Sequence, residues 1–304
     1  MGEMVNGLEL LQPFDNKAAG QSTWTFARYK GRDFFLKQFL SPVYPVSDKI
    51  GPDQRKTALE ICRAFEEEYI RLYSRINKAS DGNLVRVEAF FRQDSHYYIA
   101  MDMIEEEKLP LSEVSRLPME ERVRLCRIIA HSIMRLHAQK VVHADLKADN
   151  VLICRLSSGK YTAKIIDYES GFREEAPPKP GTEMAGDVVY LAPEVCRFIF
   201  DEPVKLTCRL DIFSLGILFH QLLSGELPGF DSQNYDYLCQ AVLDGHPPEI
   251  SGDIPRPLSG MIAGMLQKEP QKRLTAQQVW DILKPEIPEE PEDPASYFKM
   301  VTKL

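Results

Sequence analysis

The chain has 304 residues, 44% of them apolar and 27% charged, and a net charge of −8 at pH 7. That length suffices for a large buried core and for two lobes, and the acidic balance argues against non-specific nucleic-acid binding, which needs a basic surface. No apolar run reaches the ~20 residues of a membrane helix, and the first residues lack a basic-then-apolar leader pattern, so a cytoplasmic protein without a membrane span is expected.

In chain order, residues 23–29 and 32–39 read as strands around a Lys30-Gly31 hairpin turn. A helix is predicted over 54–78, then a second hairpin of strands 83–92 and 96–103 around Gln93-Asp94-Ser95. Together these make a small sheet with one helix. A joint falls near Ile104, where the acidic residues that follow read as a solvated hinge. Beyond it, Pro118-Met119-Glu120-Glu121 opens a helix to about Ala138. Short strands are predicted near 151–153 and 163–166, a helix with few charges over 211–223, and at least two helices within 253–283. Residues 285–294 are proline and acid at a density that gives an extended linker. The division is therefore 1–104, 105–284 and a tail of 285–304. The six cysteines, Cys62, Cys126, Cys154, Cys196, Cys208 and Cys239, form no C-x-x-C pair and read as small core residues. The histidines show no metal-ligand spacing.

One stretch carries a chemistry. Phosphoryl transfer from ATP requires oxygen ligands for metal ions, a cation on the phosphates and a carboxylate to receive the hydroxyl proton. In His143-Ala144-Asp145-Leu146-Lys147-Ala148-Asp149-Asn150, Asp145 is placed to take that proton, Asn150 to bind metal through its amide oxygen, and Lys147 to neutralise the moving phosphoryl group. Asp167, one residue past the apolar run 163–166, is a second metal-ligand candidate.

This stretch resembles the H-R-D-L-K-x-x-N loop of the eukaryotic-like serine/threonine protein kinases, with Ala144 in place of arginine. Asp167-Tyr168-Glu169 stands where that family has D-F-G, and Ala192-Pro193-Glu194 matches A-P-E. Asp211-Ile212-Phe213-Ser214-Leu215-Gly216 resembles D-x-W-S-x-G, and Glu269-Pro270-Gln271-Lys272-Arg273 resembles the family's late P-x-x-R, whose arginine would pair with Glu194. The resemblance implies an α+β bilobal fold with a small β-rich N-lobe and a larger, mainly α-helical C-lobe. It also implies ATP with Mg2+ or Mn2+, and a protein substrate. Lys147 favours serine or threonine as acceptor, because tyrosine-specific relatives usually lack it.

The remaining site residues follow from the same resemblance. Phe34-Phe35-Leu36-Lys37 is similar to V-A-I-K, making Lys37 the phosphate-anchoring lysine. Its helix glutamate would be Glu66, Glu67 or Glu68. The apolar stripe Ala58, Ile61, Cys62, Phe65, Tyr69, Leu72, Ile76 selects Glu68, and leaves Glu66 and Glu67 as surface acids. Met101 would be the gatekeeper, with backbone groups of Asp102 and Ile104 meeting adenine. Of the glycine-rich loop only Gly20 survives.

Four departures qualify the resemblance. Beyond the depleted glycine loop, Glu169 replaces a glycine, at ~1–2 kcal/mol if that backbone is left-handed, and is expected to limit switching of Asp167 in and out of the site. Ala144 removes the arginine that grips a phosphorylated activation segment, so activity is expected without phosphate on Tyr168, Ser170, Thr182 or Tyr190. Asp187 is either a second negative charge near Asp145 or an outward loop acid. The alternative to an active kinase is a pseudokinase serving as a nucleotide-binding or scaffolding module. A small-molecule kinase of the aminoglycoside-phosphotransferase kind ranks last, because that group lacks the A-P-E and D-x-W-S-x-G elements.

Overall fold

The computed structural model describes residues 3–16, 22–47, 50–104, 107–179 and 186–284. Its first part is an antiparallel sheet of β1 (Met4–Val5), β2 (Leu8–Leu10), β3 (Ser22–Tyr29), β4 (Arg32–Phe39), β5 (Val87–Gln93) and β6 (His96–Asp102). The strand order is β1-β2-β3-β4-β6-β5. The β3–β4 hairpin turns as expected, with Lys30 at φ 49° and Gly31 at φ 80°. Two consecutive left-handed residues match the twist of the flanking strands.

Alternation along the strands sets the two faces of the sheet. Phe34, Leu36, Tyr98 and Ala100 turn to one side, into a small core closed by Val5, Leu8 and Leu10. Phe35, Phe39, Tyr97, Ile99 and Met101 turn to the other, against α1 (Pro52–Ala79). Lys37, in register with Phe35 and Phe39, shares the α1 side. Because both faces are covered, β6 reads as an almost unbroken apolar run.

Two sequence expectations shift. The α1 helix begins at Pro52, tolerated in a first turn because the N–H it lacks has no helical partner there. The strand expected from residue 83 begins at Val87. Leu84 bridges to Ile165 instead, Ile165 N donates to Asn83 O at 2.7 Å and Val85 N to Ile165 O at 3.1 Å, so 83–85 is stitched to the second part.

That second part holds β7 (Glu107–Leu109), α2 (Leu111–Val114), α3 (Met119–Ala138), β8 (Val141–Val142), β9 (Val151–Arg155), β10 (Tyr161–Ile165) and β11 (Phe172–Arg173). Five helices follow: α4 (Pro193–Ile199), α5 (Arg209–Ser224), α6 (Leu238–Leu243), α7 (Arg256–Met265) and α8 (Ala276–Leu283). Small ladders β10-β9-β7 and β11-β8 sit where this part meets the first. α5 is apolar nearly all round and is its buried axis. At Gly216 a Cβ would lie 2.9 Å from a Leu266 methyl, so glycine lets α5 and α7 approach. All six cysteines are buried. Among the described residues no helix is long and apolar enough to cross a membrane. The tail 285–304 lies outside the described residues.

Candidate active site

The loop between β8 and β9 is fixed from below by Asp211, which is fully buried in the first turn of α5. Its carboxylate accepts from His143 N at 2.8 Å and Ala144 N at 2.9 Å, and meets His137 Nε2 at 2.8 Å. These bonds hold Ala144 at φ 65°, a left-handed conformation costing ~1–2 kcal/mol for a residue with a Cβ. His143 is buried, and its Nε2–H donates to Ile166 O at 3.1 Å, tying the loop to the chain before Asp167. Within the loop, Asn150 Nδ2 donates to both Asp145 O and Asp145 Oδ2 at 2.8 Å. Lys147 Nζ lies 2.9 Å from the same Oδ2. The three residues singled out for chemistry here are therefore one hydrogen-bonded unit. Spending both amide protons of Asn150 on Asp145 turns its Oδ1 away as an acceptor.

In a second cluster, Lys37 Nζ lies 3.0 Å from Asp167 Oδ1 and 2.9 Å from Glu169 Oε1. Burial pulls the lysine's pKa down, but the Asp167 and Glu169 charges outweigh it, and the ammonium is held above its ordinary value. Glu169 is pushed up, chiefly by burial and with help from Asp167, against the opposing pull of Lys37. Ser22 Oγ donates to Glu169 Oε1 and Oε2 at 2.9 and 3.1 Å, and Tyr69 Oη donates to Glu169 O at 3.3 Å. The left-handed residue of this turn is Asp167, at φ 64°, and Glu169 is not left-handed. The strain expected at Glu169 is therefore absent there. Asp167 faces Lys37, as reduced switching would require.

The expected Lys37–Glu68 pair is not formed. Glu68 instead receives a two-pronged bond from Arg173, Nε to Oε1 at 2.9 Å and Nη2 to Oε2 at 2.6 Å. Periodicity placed Glu68 on the inner side of α1 correctly, but a second cation waits there. Arg173 also bonds Glu175 at 3.1 Å, and Glu175 binds Arg75 of α1. Of the supposed surface acids, Glu67 pairs with Arg71 in the open, but Glu66 accepts from the buried Tyr97 Oη at 2.7 Å. Ile61, assigned to the apolar stripe, is 55% exposed.

Asp187 is half-buried, and its Oδ1 accepts from Val189 N at 3.0 Å, capping a short 3-10 turn at Val188–Tyr190. It lines a narrow cleft with Ala144 and Asp145. Of the two expectations, the outward loop acid is not what is found: Asp187 shares this cleft with Asp145 without a hydrogen bond between them. Arg273 meets Glu194 with Nη1 to Oε1 at 2.7 Å and Nη2 to Oε2 at 2.6 Å, both side chains buried.

Residues 53–282 match the family model of the protein kinase domain. The chain belongs to the protein kinase domain family. Over 284 residues this kinase domain is 27% identical to calcium-dependent protein kinase 15 of Oryza sativa, covering 90% of the chain and 51% of the relative. It is 26% identical over 246 residues to serine/threonine-protein kinase zyg-8 of Caenorhabditis elegans, covering 77% and 30%. A probable serine/threonine-protein kinase of Clostridium perfringens is 25% identical over 273 residues, covering 88% and 36%. The chain thus spans about half or less of the length of these relatives.

In the kinase domain Met101 is buried in the sheet core, with Asp102 and Ile104 half-buried at the joint between the two parts. Asp102 pairs with Arg32. Gly20 and Thr182 lie outside the described residues. Sequence reasoning missed Arg173, Ser22 and the contact role of Glu169. The one available signal is an acid two residues beyond Asp167, where the resemblance calls for glycine.

Proposed function

We propose that this domain transfers the γ-phosphate of ATP to serine or threonine hydroxyls of protein substrates, and needs no phosphate on its activation segment to do so. The observation that carries the proposal is a pair of polar clusters tied together by the His143–Ile166 bond: the Asp145–Asn150–Lys147 unit, and Lys37 with Asp167. The parts at 1–104 and 105–284 act as the two lobes enclosing ATP, with backbone of Asp102 and Ile104 against adenine, beside Met101.

Asp145 orients the acceptor hydroxyl and receives its proton as the oxygen attacks. Lys147, against the same carboxylate, offsets charge on the phosphoryl group. An ammonium has three donors, and Asp167 and Glu169 engage two of those on Lys37, leaving one for a phosphate oxygen. Asn150 Oδ1 and the Asp167 carboxylate are the oxygen types magnesium prefers. A bound Mg2+ or Mn2+ would draw charge off the phosphates. Independence from a segment phosphate is supported by Ala144, which offers no guanidinium, and by Arg173, whose charge Glu68 and Glu175 already answer. The scaffolding alternative loses an argument, since Glu169 is not left-handed and lies against Lys37.

The test is transfer of label from γ-labelled ATP with magnesium or manganese to a generic basic protein, followed by phosphoamino-acid analysis. Phosphoserine and phosphothreonine that vanish in Asp145→Asn and Asp167→Ala are expected. Nucleotide binding without transfer would contradict the proposal.

A further inference from the structure

Lys37 is the most enclosed cation of the site, its side chain only 9% exposed. An ammonium in such a place needs carboxylate partners, and needs them held still, because position decides where its remaining donor points. Of its two partners, Asp167 is the less suited to holding it. That carboxylate is the candidate metal ligand, and a second cation would compete with the lysine for its oxygens. Glu169 has no such competitor. Its side chain is 19% exposed, Ser22 grips both of its oxygens, and Tyr69 holds its backbone carbonyl. These contacts come from two elements, β3 and α1, and meet Glu169 on the segment after β10. The glutamate is therefore anchored independently of the lysine it holds.

Glu68 has been drawn off in the other direction. Its two bonds to Arg173 and the chain Arg173–Glu175–Arg75 clamp α1 to β11, and none of them reaches Lys37. We infer that Glu169 is the residue that positions Lys37 for phosphate, with Ser22 as its support, while Glu68 fastens the helix to the segment following Asp167. The inference rests on the reading of this site as an ATP phosphotransferase, and it adds which acid serves the lysine. It also gives the replaced glycine a purpose. A side chain at 169 supplies from the metal-site loop what a helix acid would otherwise supply, so the orientation of Lys37 follows the loop and not the helix.

Steady-state kcat and KM for ATP test this, with melting temperature recorded for each variant. Glu169→Gln is expected to lower kcat at least about tenfold, the scale of losing one charge-assisted bond, with a smaller change in KM. Glu169→Asp should recover part of the loss. Ser22→Ala, which removes no charge, should lower kcat in the same direction by a smaller factor. In a Lys37→Met background, Glu169→Gln should cost nothing further on the residual rate, because the two act as one unit. Glu68→Gln should lower the melting temperature while kcat stays within about twofold. A Glu169→Gln enzyme with normal kcat, or a full additional loss in the Lys37→Met background, would overturn the inference. So would a Glu68→Gln enzyme that loses kcat as Glu169→Gln was expected to. An unsubstituted chain that transfers no phosphate would instead overturn the phosphotransferase reading.

Discussion

Asp145 bonds Asn150 Nδ2 and Lys147 Nζ through a single oxygen, Oδ2. An asparagine side chain can place its own oxygen there, so Asp145→Asn preserves the loop and removes only the proton acceptor. We expect kcat to fall ~10²–10⁴-fold with the melting temperature little changed. A loss of folding in that variant would show that the carboxylate is structural. The legibility of the site divides along the same line. Asp145, Lys147 and Asn150 stand within one short run, so their types and spacing already state a chemistry. Glu68 was legible only as an acid on the inner side of a helix. Its partner Arg173 is 105 residues away, and periodicity states which way a side chain faces, not which cation it meets. The role of Glu169 is hidden in the sequence for a related reason. A motif comparison reports that a glycine is missing, whereas the gain, a carboxylate against Lys37, exists only once β4 is folded beside that loop.

At the scale of elements, two buried polar contacts fix the helices of the second part. Arg273, before α8, spends its guanidinium on Glu194 of α4 and on the carbonyls of Gln267, Lys268 and Arg209. Arg273→Ala strands a buried carboxylate and three acceptors, and should cost ~3–5 kcal/mol of stability in denaturant unfolding. This contact was legible because both ends lie in recognisable runs. The other contact was not. His220 of α5 donates from Nδ1 to Glu226 O at 2.8 Å and accepts from Ser251 N at Nε2, 3.0 Å away. Those partners leave no room for a second ring proton, and burial holds its pKa below the ordinary value despite an opposing effect of Glu226. The unfolded chain therefore takes up the proton first. The contribution of His220 is complete above its unfolded pKa of ~6.5 and is lost as pH falls below it toward the lower folded value. Melting temperatures between about pH 7 and pH 5 should fall less steeply in His220→Gln, whose amide can donate and accept in the same directions. Equal slopes would remove His220 from the acid response. Element boundaries followed the same logic of locality. The α3 and α5 helices were plain in periodicity and apolar density, whereas the start of β5 was hidden because 83–85 pairs with Ile165 of β10.

For the whole molecule, the decisive feature is how the two parts are tied. Lys37 reaches Asp167 and Glu169 from one side, and Glu68, Arg173, Glu175 and Arg75 join α1 to β11 on the other. Every charge in this second set is matched by another side chain of the same chain. A segment phosphate would have to displace Glu68 or Glu175 from Arg173 to find a guanidinium there. On the proposed function, this domain is competent without a phosphate on the segment. The most direct measurement is the initial rate of γ-phosphate transfer by protein treated with phosphatase and verified by intact mass to carry no phosphate. The account predicts a full rate from the first turnover, with no lag, unchanged when Ser170 and Thr182 are replaced by alanine and Tyr168 and Tyr190 by phenylalanine. A lag that disappears after preincubation with ATP, or activity restored only by a phosphomimetic residue in the segment, would contradict it.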